Sequence, residues 1–210
     1  MQSTKARTRD AEATKARILA AAKIEFARLG LGGARVDEIA EKAEANKRMI
    51  YHYFGNKEDL FTAVLEDAYL DIRTAEQELQ LDELPPDEGM VTLIKFTWDY
   101  YLDHPEFITL VNSANLHKGK HLEKSDKLKT ASRRYIATIQ SLLDRGVEAG
   151  VFRSGIDAGQ LNITIAAIGY YYLTNRFSGT ILFERDYMTK EALDNRLAFN
   201  IDTIMRVVAA

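Results

Sequence analysis

Apolar residues recur at intervals of three and four positions along most of the chain, which is the period of an amphipathic α-helix. The alternation of apolar and polar residues that is typical of strands is nearly absent. The pattern therefore predicts an all-α fold with nine helices. They are expected at about residues 11–29, 36–43, 47–54, 57–81, 89–103, 105–116, 121–149, 158–178 and 189–208.

Capping and helix-breaking residues mark the ends of several of these predicted helices. Gly30 is expected to stop the first helix in a left-handed conformation. Asn46 is suited to cap the start of the third helix, and Gly55 is suited to end it. Pro85 and Pro86 break the chain after the fourth helix, because proline cannot continue a helix. A small helical domain at residues 1–57, with a disordered arm at about 1–10, is thus followed by a larger helical domain at 58–210.

Three helices in the first 57 residues, the second and third joined by a short turn, indicate a helix-turn-helix domain. Ile50 and Phe54 are expected to anchor the third helix by facing inward. Their expected partners are Phe26 and Ile39. The opposite side of the third helix then carries cations and aromatic hydrogen-bonding groups, which is the composition of a surface that enters a groove of DNA.

The charge distribution favours an anionic partner at the N-terminal end. Residues 1–57 contain 12 Lys or Arg and 7 Asp or Glu, a net charge of +5, whereas the remainder contains 16 and 24, a net charge of −8. A basic quarter on an acidic body is typical of a protein that binds nucleic acid through one end. Uneven scatter of charge and an ordinary solvated face are the plainer interpretations.

The third helix carries the predicted DNA contacts. Lys47 and Arg48 stand at its start, which usually points into the major groove, and an arginine can grip guanine with two hydrogen bonds. His52 lies one turn further along and can reach a base or a phosphate. The hydroxyls of Tyr51 and Tyr53 suit phosphate oxygens, although core packing is an equal alternative for Tyr51. The predicted set is completed by Thr14, Arg35, Asn46 and Lys57, with the arm residues Lys5, Arg7 and Arg9 as further backbone or minor-groove contacts.

Composition excludes several other classes of protein. The chain has no cysteine, so a disulfide framework and a cysteine-based zinc site are ruled out. The N-terminus lacks the apolar core of a secretory signal, and no apolar run approaches the roughly 20 residues of a membrane span. No nucleotide-binding loop, nucleophile elbow or zinc-protease motif is present. We therefore expect a cytoplasmic protein that is not an enzyme, without a membrane partner, cofactor or metal; "HKGKH", with His117 and His121, is expected to be a loop.

Residues 14–61 resemble the DNA-binding domain of the TetR family of transcriptional regulators. The resemblance rests on a helix 1 pattern, on "VDEIA" in the second helix and on the block "YHYFGNKEDL"; the helix 1 positions are Ile18, Ala21, Ala22, Phe26 and Gly30. It implies a homodimer that binds palindromic double-stranded operator DNA, usually as a repressor released by a small-molecule inducer. It also implies phosphate contacts at Tyr51, Tyr53 and Lys57, and base contacts at Lys47, Arg48 and His52.

Two positions depart from the family pattern. The turn between the second and third helices usually carries glycine where this chain has Glu44. If Glu44 adopts a positive φ, the left-handed conformation costs about 1–2 kcal/mol. The second helix usually begins with a threonine cap where this chain has Arg35, which leaves that helix uncapped and frees Arg35 to reach a phosphate.

The larger domain is expected to bind a ligand and to dimerise. Residues 160–177, "QLNITIAAIGYYYLTNRF", are apolar nearly all round, and helices of this kind belong to a core or to a subunit interface. By resemblance, the last two helices of each subunit form a four-helix dimer bundle; completion of a monomer core is the alternative. An effector pocket is expected among the fourth to eighth helices, with candidate residues Trp98, Tyr101, Phe107, Asn112, Asn115, Tyr171, Asn175 and Arg176. For each aromatic residue taken alone, core packing is the favoured alternative.

Two alternatives stay open at this stage. Arg176 is a cation in an apolar helix. It either binds an anionic ligand or forms a surface salt bridge with Glu184 or Asp186. For the whole chain, the alternative to a regulator is a helical protein-interaction adaptor that uses its last two helices and binds no DNA.

Overall fold

The computed structural model describes residues 2–123 and 125–210, without the side chains of residues 2–9. It is all-α, as the sequence predicted, and the described residues contain no strand beyond an isolated bridge between Phe152 and Ala209. A short 3-10 helix, Leu81–Glu83, precedes the fifth helix. The helices are α1 Gln2–Gly33, α2 Val36–Lys42, α3 Lys47–Phe54, α4 Lys57–Gln77, α5 Pro86–Asp103, α6 Pro105–Leu116, α7 Asp126–Glu148, α8 Ala158–Thr174, α9 Arg176–Phe183 and α10 Lys190–Val208.

The bounds of α3 and α6 are those that the sequence predicted, and α1 differs at both ends. α1 begins at Gln2, so residues 2–10 are helical where the sequence predicted a disordered arm; the side chains of Lys5, Arg7 and Arg9 lie outside the described residues. Gly30 has φ 65°, as expected of a left-handed residue. It produces a kink rather than an end, because one more turn follows to Gly33.

Three breaks in the larger domain differ from the predicted helix ends. α4 ends at Gln77 instead of about residue 81, and Gln80 is left-handed with φ 49°. α7 begins at Asp126, because residues 117–123 form turns. The predicted eighth helix is split at Asn175, whose ψ of 9° interrupts the helical hydrogen bonding between α8 and α9. Apolar periodicity continues across Asn175, so the sequence shows no clear break there.

Contacts divide the chain into two compact units, each with its own core. The first comprises residues up to Leu70 together with Glu106–Leu128, and the second comprises Asp71–Pro105 with Lys129–Ala210. The expected boundary at residue 57 therefore differs from this division, since the N-terminal part of α4 and most of α6 group with the helix-turn-helix. α4 is a single helix that supplies residues to both units.

The core of the first unit holds α3 in place. Phe26, Ile39 and Ile50 are fully buried, as the sequence predicted, whereas Phe54 is half-buried. Phe26 also packs edge-on against Phe61 of α4, with ring centroids 5.1 Å apart. Burial of such large side chains contributes roughly 1.5–3 kcal/mol each, which makes α1, α2, α3 and the start of α4 one packed body.

The second unit has a separate apolar core. It is built from α5, α7, α8 and α10 around fully buried residues such as Met90, Leu93, Ile139, Leu142 and Ile204. Among the described residues, none of the helices combines the length and apolar character that a bilayer crossing requires.

Candidate nucleic-acid interface

The start of α3 is set by a side-chain cap, as the sequence predicted. The Asn46 side-chain oxygen accepts a hydrogen bond of 2.9 Å from the Met49 amide, which satisfies one of the free donors of the first turn. Gly55, with φ 87°, ends the helix. Ile50 fixes its rotation by burying one side completely. The first turn of α3, with Lys47 and Arg48, is thereby held in one orientation.

The outward side of α3 carries the predicted cations and hydroxyls. Lys47, Arg48, Tyr51 and His52 are exposed, and Tyr53 is half-buried. Tyr51 is 43% exposed, so it belongs to this surface rather than to the core. The rings of His52 and Tyr53 are in contact, with centroids 5.2 Å apart.

The turn between α2 and α3 contains a left-handed residue, at the position where the family usually carries glycine. Glu44 has φ 49°, a conformation that costs a residue with a side chain about 1–2 kcal/mol relative to glycine. The Ala45 amide donates to the Ala40 carbonyl at 2.9 Å and closes the turn. Arg17 of α1 donates from Nε to the Ala43 carbonyl at 3.1 Å, which ties the turn to the first helix.

The structure places the two predicted DNA contacts Arg35 and Thr14 in different environments. Arg35 is exposed at the start of α2 and makes no side-chain cap, in agreement with the prediction, so its guanidinium remains at the surface. Thr14 is only 4% exposed, and its hydroxyl donates to the Asp10 carbonyl at 2.9 Å. The predicted contact of Thr14 with DNA is therefore wrong for this conformation, because its hydroxyl is buried and already bonded within α1.

Two of the predicted cations have partners within the unit. The Lys47 ammonium lies 3.0 Å from a carboxylate oxygen of Asp37 in α2, and this hydrogen-bonded carboxylate raises the pKa of Lys47. Lys57 is half-buried and donates to the Gly32 carbonyl at 3.4 Å. The sequence pattern gives no indication of the partner Asp37, since a contact between residues ten positions apart in different helices leaves no periodic signal.

A buried charge cluster joins α1 to α2, and the sequence pattern did not indicate it either. The Glu25 carboxylate is fully buried, 2.7 Å from the Lys42 ammonium and 3.3 Å from the Arg28 guanidinium. The hydrogen bond from Lys42 lowers the pKa of Glu25 in spite of its burial. Because a buried carboxylate is stable only when it is paired, this cluster fixes the spacing of the two helices on which α3 rests.

The predicted effector residues do not form one group. Phe107, Asn112 and Asn115 belong to the first unit, whereas the other candidates belong to the second. Trp98, Tyr101 and Phe107 are only 3%, 7% and 5% exposed. Trp98 packs edge-on against Tyr172 at 5.7 Å, and Tyr101 lies against Gly169.

Tyr171 and Arg176 lie at the junction of α8 and α9. Tyr171 is 71% exposed and borders an open cavity of about 590 Å³ between α8, the end of α9 and α10. Asn175 donates to the Tyr171 carbonyl at 2.9 Å. Arg176 donates to the Leu173 carbonyl at 2.7 Å, and its guanidinium lies 4.4 Å from the Phe177 ring. Among the described residues it pairs with neither acid proposed from the sequence, so the predicted salt bridge is wrong.

The two histidines of "HKGKH" lie in the turns after α6. His121 is 8% exposed, with its ring edge-on to Phe61 and its Nδ1 atom 3.2 Å from the Thr62 hydroxyl. Burial lowers the pKa of His121. The described part of the chain contains no group of three or more His, Cys, Asp or Glu that could hold a metal ion.

A capped recognition helix with an exposed cationic side, resting on two helices through a short turn, defines a helix-turn-helix DNA-binding protein. Comparison with known families is more specific. The family model described as "Bacterial regulatory proteins, tetR family" matches residues 18–64, and the model "Tetracyclin repressor-like, C-terminal domain" matches residues 86–204. The chain belongs to the TetR family of transcriptional regulators, and it is a regulator rather than an enzyme.

Two curated relatives cover most of the chain. The HTH-type transcriptional repressor NicS of Pseudomonas putida is 36% identical over 203 residues, which is 97% of this chain and 96% of NicS. The HTH-type transcriptional repressor SCO4008 of Streptomyces coelicolor is 38% identical over 161 residues, covering 76% of this chain and 78% of that protein.

Solved structures share the fold over nearly the whole length. SCO4942 of Streptomyces coelicolor superposes with a TM-score of 0.69 at 25% identity, covering 93% of this chain and 98% of its own. A bacterial regulatory protein of the TetR family from Rhodococcus has a TM-score of 0.72 at 17% identity, covering 94% of this chain and 97% of its own. The second likeness concerns the fold alone.

Proposed function

We propose that this chain is a ligand-responsive transcriptional repressor that binds palindromic operator DNA as a homodimer in the cytoplasm. The observation that carries the proposal is the exposed side of α3, where Lys47 and Arg48 stand at the start of a helix whose opposite side is anchored by the fully buried Ile50. The two relatives described above are both repressors by name, which favours repression over activation.

An exposed apolar surface supports the proposed dimer. On α8, α9 and α10, large apolar side chains are 60–77% exposed, and the most exposed is Ile181 of α9 at 77%; the others are Tyr171, Phe177, Leu182, Phe183 and Phe199. A monomer rarely leaves so many large apolar groups in water, and such surfaces mark protein–protein interfaces. A second copy is the partner we propose, since a two-fold dimer presents two recognition helices to two operator half-sites.

Coupling between ligand and DNA would pass through α4. This helix begins directly after the loop that ends α3, and its last residues lie in the second unit. A ligand that binds one arrangement of the second unit more tightly would shift the population of α4 positions and so the spacing of the recognition helices. Release of operator DNA is the proposed result.

Selection of bound sites from random duplexes tests the DNA-binding proposal. We expect palindromic sites, and we expect the double variant Lys47→Ala with Arg48→Ala to lose them while its oligomeric state is unchanged. The matched control removes two exposed cations of the second unit, Lys95→Ala with Arg133→Ala, and should keep operator affinity. If about ten phosphates are contacted per dimer, log affinity falls with log salt at a slope near −9.

Two outcomes would contradict the proposal. A salt slope near zero would show that phosphates contribute little to binding. Retention of operator affinity by the double recognition-helix variant would show that α3 is not the reading element. If no duplex is selected while the apolar surface still captures another protein, the adaptor alternative replaces the regulator.

A further inference from the structure

A second cavity, of about 200 Å³, lies within the second unit, where α4 ends. Its walls are the last turns of α4, the turn that follows it, the 3-10 helix and α7. Most of the residues that line it carry polar groups: Arg73, Glu76, Gln77, Gln80, Leu81, Asp82, Arg134, Tyr135 and Thr138. A void left by imperfect packing of a helical core is lined by apolar side chains, so this polar lining indicates a site for water or for a polar ligand.

The half-buried Arg73 and the buried Glu76 lie side by side in the lining of the cavity. The Glu76 carboxyl is 6% exposed and lies 2.7 Å from Nη1 of Arg73. The Arg73 guanidinium lies 4.1 Å from the centroid of the Tyr135 ring, which covers one face of the cation. Yet Nε of Arg73 is buried without a hydrogen-bond partner. A buried donor without an acceptor is unfavourable, so a hydrogen-bond acceptor that enters the cavity beside Arg73 is stabilised there.

The charged group of the cavity that is left without a partner is a cation. Arg134 is exposed, and among the described residues its guanidinium has no ion-pair or hydrogen-bond partner. Both carboxyls, in contrast, are engaged, since Asp82 accepts from the Ser141 hydroxyl at 3.4 Å and Glu76 accepts from Arg73. Burial also raises the pKa of Glu76 to about 8, so this carboxyl is largely protonated at neutral pH and does not repel an anion.

Backbone strain borders the same cavity. Gln80 has φ 49° and ψ 43°, a left-handed conformation that is uncommon for a residue with a side chain. The segment that follows is held by Arg145, which donates to the carbonyls of Leu81 and Leu84 at 2.7 and 2.8 Å. Strained backbone is common at ligand-binding and switch sites, because a bound ligand can stabilise one conformation of the strained turn over another.

We propose that this cavity binds a small organic carboxylate, with Arg73 and Arg134 as its two guanidinium donors, and that this anion is the effector. Guanidinium groups match the planar geometry of a carboxylate, and Tyr135 offers an aromatic wall. The volume lies below the usual 300–1,000 Å³ of drug-sized sites, which restricts the ligand to molecules between acetate and phenylacetate in size. The effector role rests on the proposed function, whereas the binding of the anion does not.

Titration calorimetry on the full chain without DNA tests the binding step. The probes are acetate, phenylacetate and benzoate, with benzamide and benzamidine as a neutral and a cationic molecule of the benzoate shape. We expect at least one carboxylate to bind, and we expect neither benzamide nor benzamidine to bind. Arg134→Ala should weaken that carboxylate by about tenfold, a typical effect of removing one charge-assisted hydrogen bond. Arg133→Ala removes the neighbouring exposed guanidinium, which does not line the cavity, and should change nothing.

Three results would overturn the carboxylate site. The first is no binding by any of the three carboxylates at concentrations up to about 10 mM, far above a Kd in the usual effector range. The second is an equal loss of carboxylate affinity in the Arg134→Ala and Arg133→Ala variants, and the third is binding of benzamidine as tight as that of the carboxylate. Operator release is then measured separately by fluorescence anisotropy with the carboxylate that binds. A carboxylate that binds the free chain without releasing DNA overturns the effector role. Failure of DNA binding itself leaves the calorimetric result intact, so the two proposals fail independently.

Discussion

The ammonium of Lys47, the first residue of the recognition helix, lies 3.0 Å from a carboxylate oxygen of Asp37 at the start of α2. Both side chains are about half exposed, so the pair is held at the protein surface where DNA is expected to dock. An ion pair of this kind adds little stability, because water screens it. Its consequence is instead that Lys47 must exchange Asp37 for a phosphate or a base when the helix enters a groove.

Replacing Asp37 by Asn should therefore raise operator affinity. The variant frees Lys47 and removes a negative charge beside the DNA, and we expect a gain of roughly threefold to fivefold at low salt. Glu38→Gln is the matched control, since it removes a neighbouring charge of α2 without freeing Lys47. Equal gains for both variants in an anisotropy titration would show that the exchange of partners has no part in binding.

Replacing Glu44 by Gly should raise the melting temperature. Glu44 has φ 49°, and glycine removes a strain of about 1–2 kcal/mol from the folded state. For a domain of this size that corresponds to about 2–8 °C. Glu41→Gly, at an exposed position inside α2, should lower the melting temperature because glycine weakens a helix. A Glu44→Gly variant that melts no higher than the wild type would count against strain in this turn.

The stability of the second unit should fall as the pH rises from about 5 to 8. Burial raises the pKa of Glu76 from 4.5 to about 8, so the folded state keeps a proton that the unfolded chain releases across this interval. Glu76→Gln should flatten the profile of unfolding free energy against pH, measured by urea denaturation. Asp82→Asn, which removes an exposed carboxyl of the same cavity, should keep the wild-type profile. A profile unaltered by Glu76→Gln would refute the buried protonated carboxyl.

Replacing Ile181 by Asp should weaken the proposed dimer. Ile181 is 77% exposed on α9, and a carboxylate there would have to be desolvated against a second copy. We expect a shift toward monomer in analytical ultracentrifugation, together with a loss of operator affinity. Ile24→Asp provides the comparison, since Ile24 of α1 is also an exposed isoleucine, at 60%. If both variants sediment like the wild type, α9 is not at the interface.

The sequence predicted α3 to the residue because every signal that bounds it is local. Asn46 caps the helix through an amide three residues away, and Gly55 ends it with a positive φ. The inward side was equally clear, since Ile50 is an apolar residue at helical spacing. The positive φ of Glu44 was raised only by the family resemblance, in which glycine is usual at this position of the turn.

The sequence could not predict contacts between distant positions. Thr14 looks like a surface hydroxyl until α1 is packed, and then it is buried. The split at Asn175 is not marked by a helix-breaking residue, so the local sequence pattern favoured one continuous helix. Among the predicted effector residues, Phe107, Asn112 and Asn115 belong to a different unit from the others, and no local pattern indicates that division.

By itself, then, the sequence determined that the chain is helical, where its recognition helix lies and which side chains that helix presents, because these depend on hydrogen bonds and periodicity within a few residues. Only the tertiary structure decided which charges are paired and where a polar cavity forms. Glu25 with Lys42, Lys47 with Asp37, and the approach of Arg134 to the cavity arise from helices that pack together from separate parts of the chain. Packing places such groups within a few ångströms of one another, and no spacing along the chain encodes that distance.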